Sequence, residues 1–368
     1  MSLSSWLEEQ QLDVAYAASL GKAGIEDVHA LREFFRGNAE PMANLQKVGV
    51  PDNEIGRICK AALHVADAPT GDVALSSGAP ALTGGYSSGA QHRFEFSAAW
   101  GQALTARVPK FARRTDSLIA NLVRENDSVV KDGKFDSVQG VQEIPPPPPT
   151  NRIRCPEAPH ESAMKFDVTQ LCVANIDTLS AALLVGDATA LNFANAHTSG
   201  GGYRHGARAQ EEDLCRLLPQ LIHSLEACHY YPIAPHEVLL TKNLAAVREP
   251  GTYKLCPSLG AVNILTSAMP NDDCGRPGGD QWNKTVRLRM RAVLHAAKLS
   301  GFPNIVLGAW GCGAFGNPPG LVAELFREQL CSLEFRGSFK QVVFAVVDPK
   351  RDGNFKPFEG EISKMHGL

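Results

Sequence analysis

The chain has 368 residues, more than the roughly 100 to 200 of a usual single domain, so we expect two folded units joined by a linker. Hydrophobic residues make up 44% and charged residues 20%, which predicts a buried core over most of the chain. The net charge of −3 excludes a global attraction to nucleic acid or anionic membranes, and only a local basic patch stays open.

Targeting signals and cysteine spacing restrict the cellular context. The start, MSLSSWLEEQQ, lacks the basic flank and apolar core of a signal peptide, and no window approaches the ~18 apolar residues of a membrane span. Nine cysteines, an odd number without a CxxC pair or a Cys/His cluster, predict neither a disulfide framework nor a structural zinc site. We expect a soluble intracellular protein with reduced thiols, in the cytosol or the nucleus, without a membrane contact.

Residues 1–65 carry apolar side chains at helical spacing, interrupted by short Gly, Asn or Pro breaks. This pattern predicts a small all-α domain of four or five short helices. The run LGKAGIEDVHALREFF, followed by LQKVGVPDNEIGRICKAAL, resembles a sterile-alpha-motif domain. That resemblance implies an interaction module with a protein partner, although helices of this length recur in many unrelated bundles.

Residues 66–92 are rich in Gly, Ala, Ser and Pro and have few large apolar side chains, which predicts a flexible linker. Residues 93–150 are predicted as a helical extension, near 96–131, followed by a Pro-rich spacer that contains IPPPPPT. Five prolines favour an extended segment. A stiff spacer is the commoner explanation, and a ligand for an aromatic-lined domain is the alternative.

From residue 151 to 368 the pattern changes to alternating strands and helices, which predicts a layered α/β domain with helices on both faces of a largely parallel sheet. The predicted strands are 170–176, 188–195, 237–243, 261–268, 304–310 and 341–348. The predicted helices are about 177–186, 208–218, 284–300 and 318–332, with Pro219 suited to ending the second.

One glycine-rich loop, GCGAFG (311–316), has the GxGxxG spacing between a predicted strand and a predicted helix. Glycines let the backbone approach a diphosphate, and the following helix N-terminus offers free N–H groups. A Rossmann fingerprint normally follows the first strand of its fold, whereas only about 50 residues follow this loop. The loop therefore suits a diphosphate on a different kind of sheet, and NAD binding is the alternative.

A second loop places Gly200, Gly201 and Gly202 ahead of Gln210, Glu211 and Glu212. The loop follows the predicted strand ALNFAN and precedes a predicted helix, so its glycines and carboxylates lie at one strand-to-helix edge. Consecutive helical residues project about 100° apart, so Glu211 and Glu212 cannot face each other as a proton-sharing pair. We expect them to have separate functions.

These residues carry a family resemblance. The spacing GGG-YRHGARA-QEE, with LNFANA before it, VNILTSAMPN after it and LGAWGCGAFGNPP later, resembles the poly(ADP-ribose) glycohydrolases of the compact microbial type over about 153–350. The resemblance implies a macrodomain-like mixed sheet flanked by helices. It also implies cleavage of the ribose–ribose O-glycosidic bond of poly(ADP-ribose), carried free or on ADP-ribosylated proteins, without a metal or a cofactor.

The resemblance also assigns roles to residues. Glu212 corresponds to the general acid/base, Glu211 to the acid that orients the substrate ribose, and Asn195 to the asparagine that contacts the ribose on the leaving side. The other residues are predicted to bind substrate through the triple-glycine loop, the diphosphate loop and the glutamine beside the adenine and ribose. They are Gly200, Gly201, Gly202, Gln210, Gly311, Gly313, Ala314, Phe315, Gly316 and Asn317.

Structural explanations compete with several of these roles. An acid in the first turn of a helix also stabilises the macrodipole, Asn195 can cap the turn after its strand, and Phe315 can be a core residue. Two other functions also remain open. A macrodomain reader binds ADP-ribose without cleaving it, and a mono-ADP-ribosyl hydrolase removes single units from proteins. The reader needs the glycine loops but not Glu212.

Overall fold

The computed structural model describes residues 3–9, 15–22, 24–27, 30, 31, 50, 58 and 92–368, the last range without 108–114, 162, 272–276 and 351–352. The chain divides into two compact units, Met1–Gly85 and Tyr86–Leu368. In the first unit the described helices are α1 (Leu3–Glu9) and α2 (Tyr16–Lys22). Most of the predicted bundle and nearly all of the predicted linker lie outside the described residues.

The second unit is built on a mixed sheet. Its strands are β1 (Arg93–Phe96), β2 (Lys134–Ser137), β3 (Gly140–Glu143), β4 (Thr150–Arg154), β5 (Val168–Ala174), β6 (Ala188–Ala194), β7 (Glu237–Ala245), β8 (Ala261–Ala268), β9 (Asn304–Gly308) and β10 (Gln341–Ala345). Eight of them pair in the order β1-β5-β10-β9-β6-β8-β7-β4, and β2 and β3 form a separate hairpin. The first six strands in this order, β1-β5-β10-β9-β6-β8, are parallel to one another, so their carboxyl ends lie at one edge of the sheet.

Helices cover both faces of this sheet. They are α3 (Ala98–Thr105), α4 (Asp116–Asp132), α5 (Thr178–Val185), α6 (Gln210–Leu217), α7 (Pro219–Ala227), α8 (Asp280–Ser300), α9 (Pro319–Cys331) and α10 (Phe355–Ser363). Side chains alternate between two cores: Leu171 and Val173 of β5 join the core with α8–α10, while Cys172 and Ala174 join the core with α3–α7. The predicted α/β fold with a largely parallel sheet is confirmed.

The predicted strands and helices of the α/β region agree with the observed ones within a few residues at each end, and the predicted strand 261–268 coincides with β8. The helix predicted to end before Pro219 ends at Leu217, and Pro219 then occupies the first turn of α7. The sequence missed α7, α10 and the edge strands β1 and β4.

Residues 93–150 were predicted as an extension and a spacer, but they belong to the second unit. Within them β1 pairs with β5, and the predicted helical stretch near 96–131 corresponds to α3 and α4. The proline run packs against α7, where the buried Gln220 donates hydrogen bonds from Nε2 to the carbonyl oxygens of Pro145 (2.7 Å) and Pro146 (3.2 Å). An extended proline segment thus leads directly into the edge strand β4.

Among the described residues, no helix has the length and apolar character that a membrane span requires.

Candidate active site

The two glycine-rich loops meet at the carboxyl edge of the sheet. One connects β6 to α6 and the other connects β9 to α9, and β6 and β9 are parallel neighbours. A cavity of about 720 Å³ lies between the loops, within the size range of small-molecule sites. Its wall contains Ile176, Asp177, Thr178, Leu179, Phe193, Ala207, Arg208, Ala209, Gln210, Glu212, Asp213, Leu214, Leu217, Ala309, Trp310, Gly311, Gly313, Ala314, Phe315, Ala345, Val346, Val347 and Asn354.

Gln210 fixes the start of α6 to the neighbouring elements. Its Oε1 accepts a hydrogen bond from the backbone N of Phe193 (2.8 Å). Its Nε2 donates to Thr178 Oγ1 (2.9 Å) and to the carbonyl oxygen of Leu191 (2.8 Å). The side chain lines the cavity, but its amide group is already bonded within the protein. Its contribution in this structure is to hold α6 on β6.

Glu211 points into the protein and is 2% exposed. Its Oε2 accepts from the backbone N of Asn195 (2.7 Å), and its Oε1 accepts from Nδ2 of Asn192 (3.4 Å). Burial, with a smaller contribution from the charge of Glu212, raises the pKa of Glu211 to about 8. Glu211 is therefore a mainly protonated group near neutral pH, and it does not line the cavity.

Glu212 differs from its neighbour because it lines the cavity. Its Oε1 accepts from the backbone N of Gly202 (2.9 Å), and its Oε2 accepts from the backbone N of Ala209 (3.0 Å). The second contact is the half of a capping box in which an N3 glutamate reaches back to the N-cap N–H. Two backbone donors thus fix the carboxylate on the cavity wall, and only 6% of the residue is exposed.

The triple-glycine loop packs directly against these two acids. Gly201 has φ +55°, and a Cβ there would lie 2.6 Å from Glu212 Oε1 and 2.8 Å from Glu211 Oε2. At Gly200, with φ +67°, a Cβ would lie 2.4 Å from Cδ1 of Ile222. The glycines are thus required because their backbone touches protein groups, and they are not among the residues that line the cavity.

The second loop offers open backbone to the cavity. A Cβ at Gly313 would have no atom within 4 Å, so a ligand can approach this part of the main chain closely. Phe315 lines the cavity and packs against the core on one side. Gly311 has φ +73° and no room for a side chain, since a Cβ would lie 2.6 Å from Asn317 Nδ2. This loop therefore combines an exposed backbone with one aromatic wall.

Besides the triple glycine, three more predicted binding residues lie outside the cavity wall, although their loops border it: Asn195, Gly316 and Asn317. The Oδ1 of Asn195 accepts from the backbone N of His197 (2.8 Å) and of Thr198 (3.0 Å), so it caps the turn after β6. Asn317 is buried, accepts from Trp282 Nε1 (2.9 Å) and donates to the Pro270 carbonyl oxygen (3.0 Å). Its amide fastens the loop to α8 and is not free for a ligand.

The structure thus brings Gln210, Glu212, Gly311, Gly313, Ala314 and Phe315 together around one cavity. Glu211 and the triple-glycine loop lie directly behind Glu212.

Asp177 is a cavity residue that the sequence did not indicate. Its Oδ1 accepts from the backbone N of Ser180 (2.9 Å) and caps α5, while its Oδ2 is buried without a hydrogen-bond partner. Burial, with the nearby charge of Asp213, raises the pKa of Asp177. The only sequence signal was an Asp at the start of a predicted helix, which is also the pattern of an ordinary N-cap.

A buried polar network behind the site was also missed. Asn126 of α4 is fully buried, donates from Nδ2 to Tyr203 Oη (3.2 Å) and to the Arg216 carbonyl oxygen (3.0 Å), and accepts from Arg248 Nε (2.7 Å). Tyr253 Oη donates to Asp213 Oδ1 at 2.5 Å, which connects the network to the residue after Glu212. Helix α4 thus supports both the glycine loop and α6.

Within the described part of the chain, no group of three or more His, Cys, Asp or Glu side chains is placed to hold a metal ion.

The fold and the site define an α/β ligand-binding domain with its cavity at the carboxyl edge of a mainly parallel sheet and a glutamate fixed on the cavity wall. Residues 134–243 match the family model "Microbial-type PARG, catalytic domain", where PARG denotes poly(ADP-ribose) glycohydrolase. The matched residues include the glycine and glutamate motif, so the predicted resemblance to the microbial poly(ADP-ribose) glycohydrolases is confirmed.

Two solved structures of one enzyme, from Thermomonospora curvata, agree with this match. The chain is similar to the poly(ADP-ribose) glycohydrolase of Thermomonospora curvata, with 28% identity over 68% of this chain and 99% of that one and a TM-score of 0.56. The same enzyme bound to the inhibitor ADP-HPD matches with 27% identity over 66% and 98% and a TM-score of 0.56. The Deinococcus radiodurans enzyme in complex with ADP-ribose matches with 27% identity over 73% and 99% and a TM-score of 0.49. No protein of curated function matches the sequence.

Proposed function

We propose that this chain hydrolyses the ribose–ribose O-glycosidic bonds of poly(ADP-ribose) and releases ADP-ribose, with Glu212 as the general acid/base. The family match and the activity of the similar solved enzymes support the reaction. The observation that carries the proposal for Glu212 is its position. Two backbone N–H groups hold its carboxylate on the wall of a cavity that also contains the exposed backbone of Gly313.

Of the two adjacent acids, only Glu212 would transfer protons in the reaction. Glycosidic cleavage usually employs two carboxyl groups, but Glu211 is enclosed and its raised pKa keeps it mainly neutral near pH 7. In the proposed mechanism Glu212 protonates the leaving 2′-oxygen as the bond from C1″ to that oxygen breaks. Its carboxylate then takes a proton from the water that attacks C1″, which restores the acid.

The substrate contacts are proposed from the same cavity. The backbone at Gly313 would donate hydrogen bonds to the diphosphate, which would also stabilise the positive charge that develops on the ribose. Phe315 would pack along the ribose. The unpartnered Oδ2 of Asp177 offers an acceptor for a donor group of the ligand. Glu211 and Asn195 would act on the ribose through the backbone turn that they hold.

The test is incubation of the purified full chain with automodified poly(ADP-ribose), followed by chromatography for free ADP-ribose. Glu212→Gln is expected to lower the rate by about 10²- to 10⁴-fold, since only the acid/base is lost. Its affinity for ADP-ribose, measured by calorimetry, should stay within a few-fold of wild type. Glu143→Gln, on the separate β2–β3 hairpin, is the matched control and should behave as wild type.

Other outcomes separate the alternatives. A wild-type chain that binds ADP-ribose but releases none from polymer would be a reader. Release of single units from mono-ADP-ribosylated protein, with polymer left intact, would indicate the mono-ADP-ribosyl hydrolase. Near-wild-type turnover by Glu212→Gln would contradict the role of Glu212 while leaving the enzyme class intact.

For residues 1–65 we propose a protein-interaction module, on the basis of the sterile-alpha-motif resemblance alone.

A further inference from the structure

A second cavity, of about 480 Å³, lies next to the active-site cavity. Its wall consists of Asp116, Ile119, Ala120, Val123, Arg204, His205 and Gly206. Arg208, two residues further along the same loop, lines the active-site cavity and forms an ion pair with Asp116 of the second cavity. One exposed ion pair therefore stands between the two cavities.

The walls of the second cavity have two kinds of chemistry. Helix α4 contributes an aliphatic wall through Ile119, Ala120 and Val123, and the loop contributes Arg204 and His205. Arg204 is occupied, since its Nε pairs with Glu226 (2.8 Å) and its Nη1 with Asp127 (3.1 Å).

Arg208 is more available than Arg204. Its partner Asp116 has a side chain that is 97% exposed. Such solvent-exposed pairs are weak, so an incoming anion can replace the carboxylate.

The proposed reaction places a specific chemical group at this position. The bond that breaks joins C1″ of the bound unit to the 2′-oxygen of the adenosine of the next unit. An adenosine with its 5′-diphosphate must therefore extend away from Glu212. The loop that donates to Glu212 through Gly202 continues as residues 204–206 into the wall of the second cavity.

We propose that the second cavity binds the adenosine diphosphate portion of the next ADP-ribose unit, whose 2′-oxygen is the leaving group. Arg208 is the cation that contacts its phosphates. The aliphatic wall of α4 suits a flat base, and a guanidinium suits a diphosphate. This inference rests on the proposed hydrolysis of poly(ADP-ribose). On this proposal the enzyme binds two consecutive units of the polymer, whereas an isolated ADP-ribose occupies the first cavity alone.

A steric test uses Ala120→Trp, because Ala120 is exposed and its side chain faces the second cavity. The KM for a purified ADP-ribose dimer is expected to rise about tenfold or more, because the indole fills part of the cavity. The calorimetric Kd for monomeric ADP-ribose should stay unchanged. Asn121→Trp, at the next residue of α4, lines neither cavity and should leave both quantities at wild-type values.

A charge test uses the Arg208–Asp116 pair. Asp116→Asn frees the guanidinium and is expected to lower the KM for the dimer about two- to fivefold. Arg208→Gln should raise that KM by a larger factor than it raises the Kd for ADP-ribose. If the wild type cleaves the dimer and neither Ala120→Trp nor Asp116→Asn changes its KM, the subsite is refuted while the hydrolase stands. If the wild type cleaves neither dimer nor polymer, the proposed function itself has failed.

Discussion

Gly201→Ala tests whether the triple-glycine loop exists to accommodate the carboxylate of Glu212, the proposed acid/base. The substitution has a backbone cost, because φ is +55° at this position and a left-handed conformation costs an alanine about 1–2 kcal/mol. It also has a steric cost, because the new Cβ would lie 2.6 Å from Glu212 Oε1 and 2.8 Å from Glu211 Oε2.

The expected loss of activity follows from these distances. An ordinary contact of 3.4 Å requires the oxygens of Glu212 and Glu211 to retreat by about 0.8 and 0.6 Å. Where this retreat is directed away from Gly202, the bond from Gly202 N to Glu212 Oε1, now 2.9 Å, exceeds hydrogen-bonding distance. Since a misplacement of about 1 Å in a catalytic group can cost about 10²-fold, we expect a rate decrease of that order.

Gly301→Ala is the matched control for this experiment. Gly301 has φ +87°, but its Cβ would meet nothing within 4 Å, and it follows α8 at the opposite edge of the sheet. Thermal unfolding should show a similar loss of stability from backbone strain in both variants. Release of ADP-ribose from polymer should fall only in Gly201→Ala. Equal turnover in the two variants would refute the idea that this glycine positions the acid.

Three further predictions concern domain limits, ligand stacking and pH. A fragment 86–368 should fold and hydrolyse polymer, whereas 151–368 should not fold because it lacks β1, α3, α4 and the start of β4; circular dichroism and the release assay check this. Phe315→Ala should weaken ADP-ribose binding by roughly 1–3 kcal/mol in calorimetry, by analogy with base stacking, while unchanged affinity would exclude the ribose contact. Glu211 ionises near pH 4.5 when unfolded and near 8 when folded, so its contribution to the free energy of unfolding decreases as pH rises between these values. Urea unfolding should therefore show Glu211→Gln gaining stability relative to wild type from pH 5 to pH 8, and a constant difference would contradict the raised pKa.

The sequence predicted the centre of the domain well because two strong signals coincide there. Strands such as QVVFA and NIVLG are continuous apolar runs, as expected for parallel strands covered on both faces. The spacing from the triple glycine to Gln210, Glu211 and Glu212 then placed a loop and a helix start at one edge of the sheet. The structure confirms the fold and brings the second glycine loop to the same edge.

The edges of the sheet were harder to predict because their signals are short and mixed. Strand β1 is RFEF, in which a single residue is fully buried, and it pairs with β5, about 75 residues away. Asn126 likewise depends on partners 77 to 122 residues distant in the sequence. A local pattern carries no information about such contacts.

The sequence also could not predict the direction in which amide side chains point. Gln210 and Asn317 are both predicted to bind substrate, and the structure adds that both form hydrogen bonds within the protein. An amide next to a ligand cavity can face the ligand or the backbone, and its neighbours in space decide which. Glu212 and Glu211 show the same dependence, since adjacent positions on one helix give one cavity-facing acid and one enclosed acid.

The position of β10 has a consequence for biosynthesis. Among the described strands it is the last in sequence, yet it lies between β5 and β9 inside the sheet. A ribosome that has translated as far as β9 has produced two sheet fragments, β1-β5 and β9-β6-β8-β7-β4, that have no shared hydrogen bonds. Each exposes an unpaired strand edge until residues 341–345 emerge. The sheet is therefore completed only after β10 has been synthesised, and a nascent chain that stalls before β10 is a candidate for chaperone binding or edge-to-edge association.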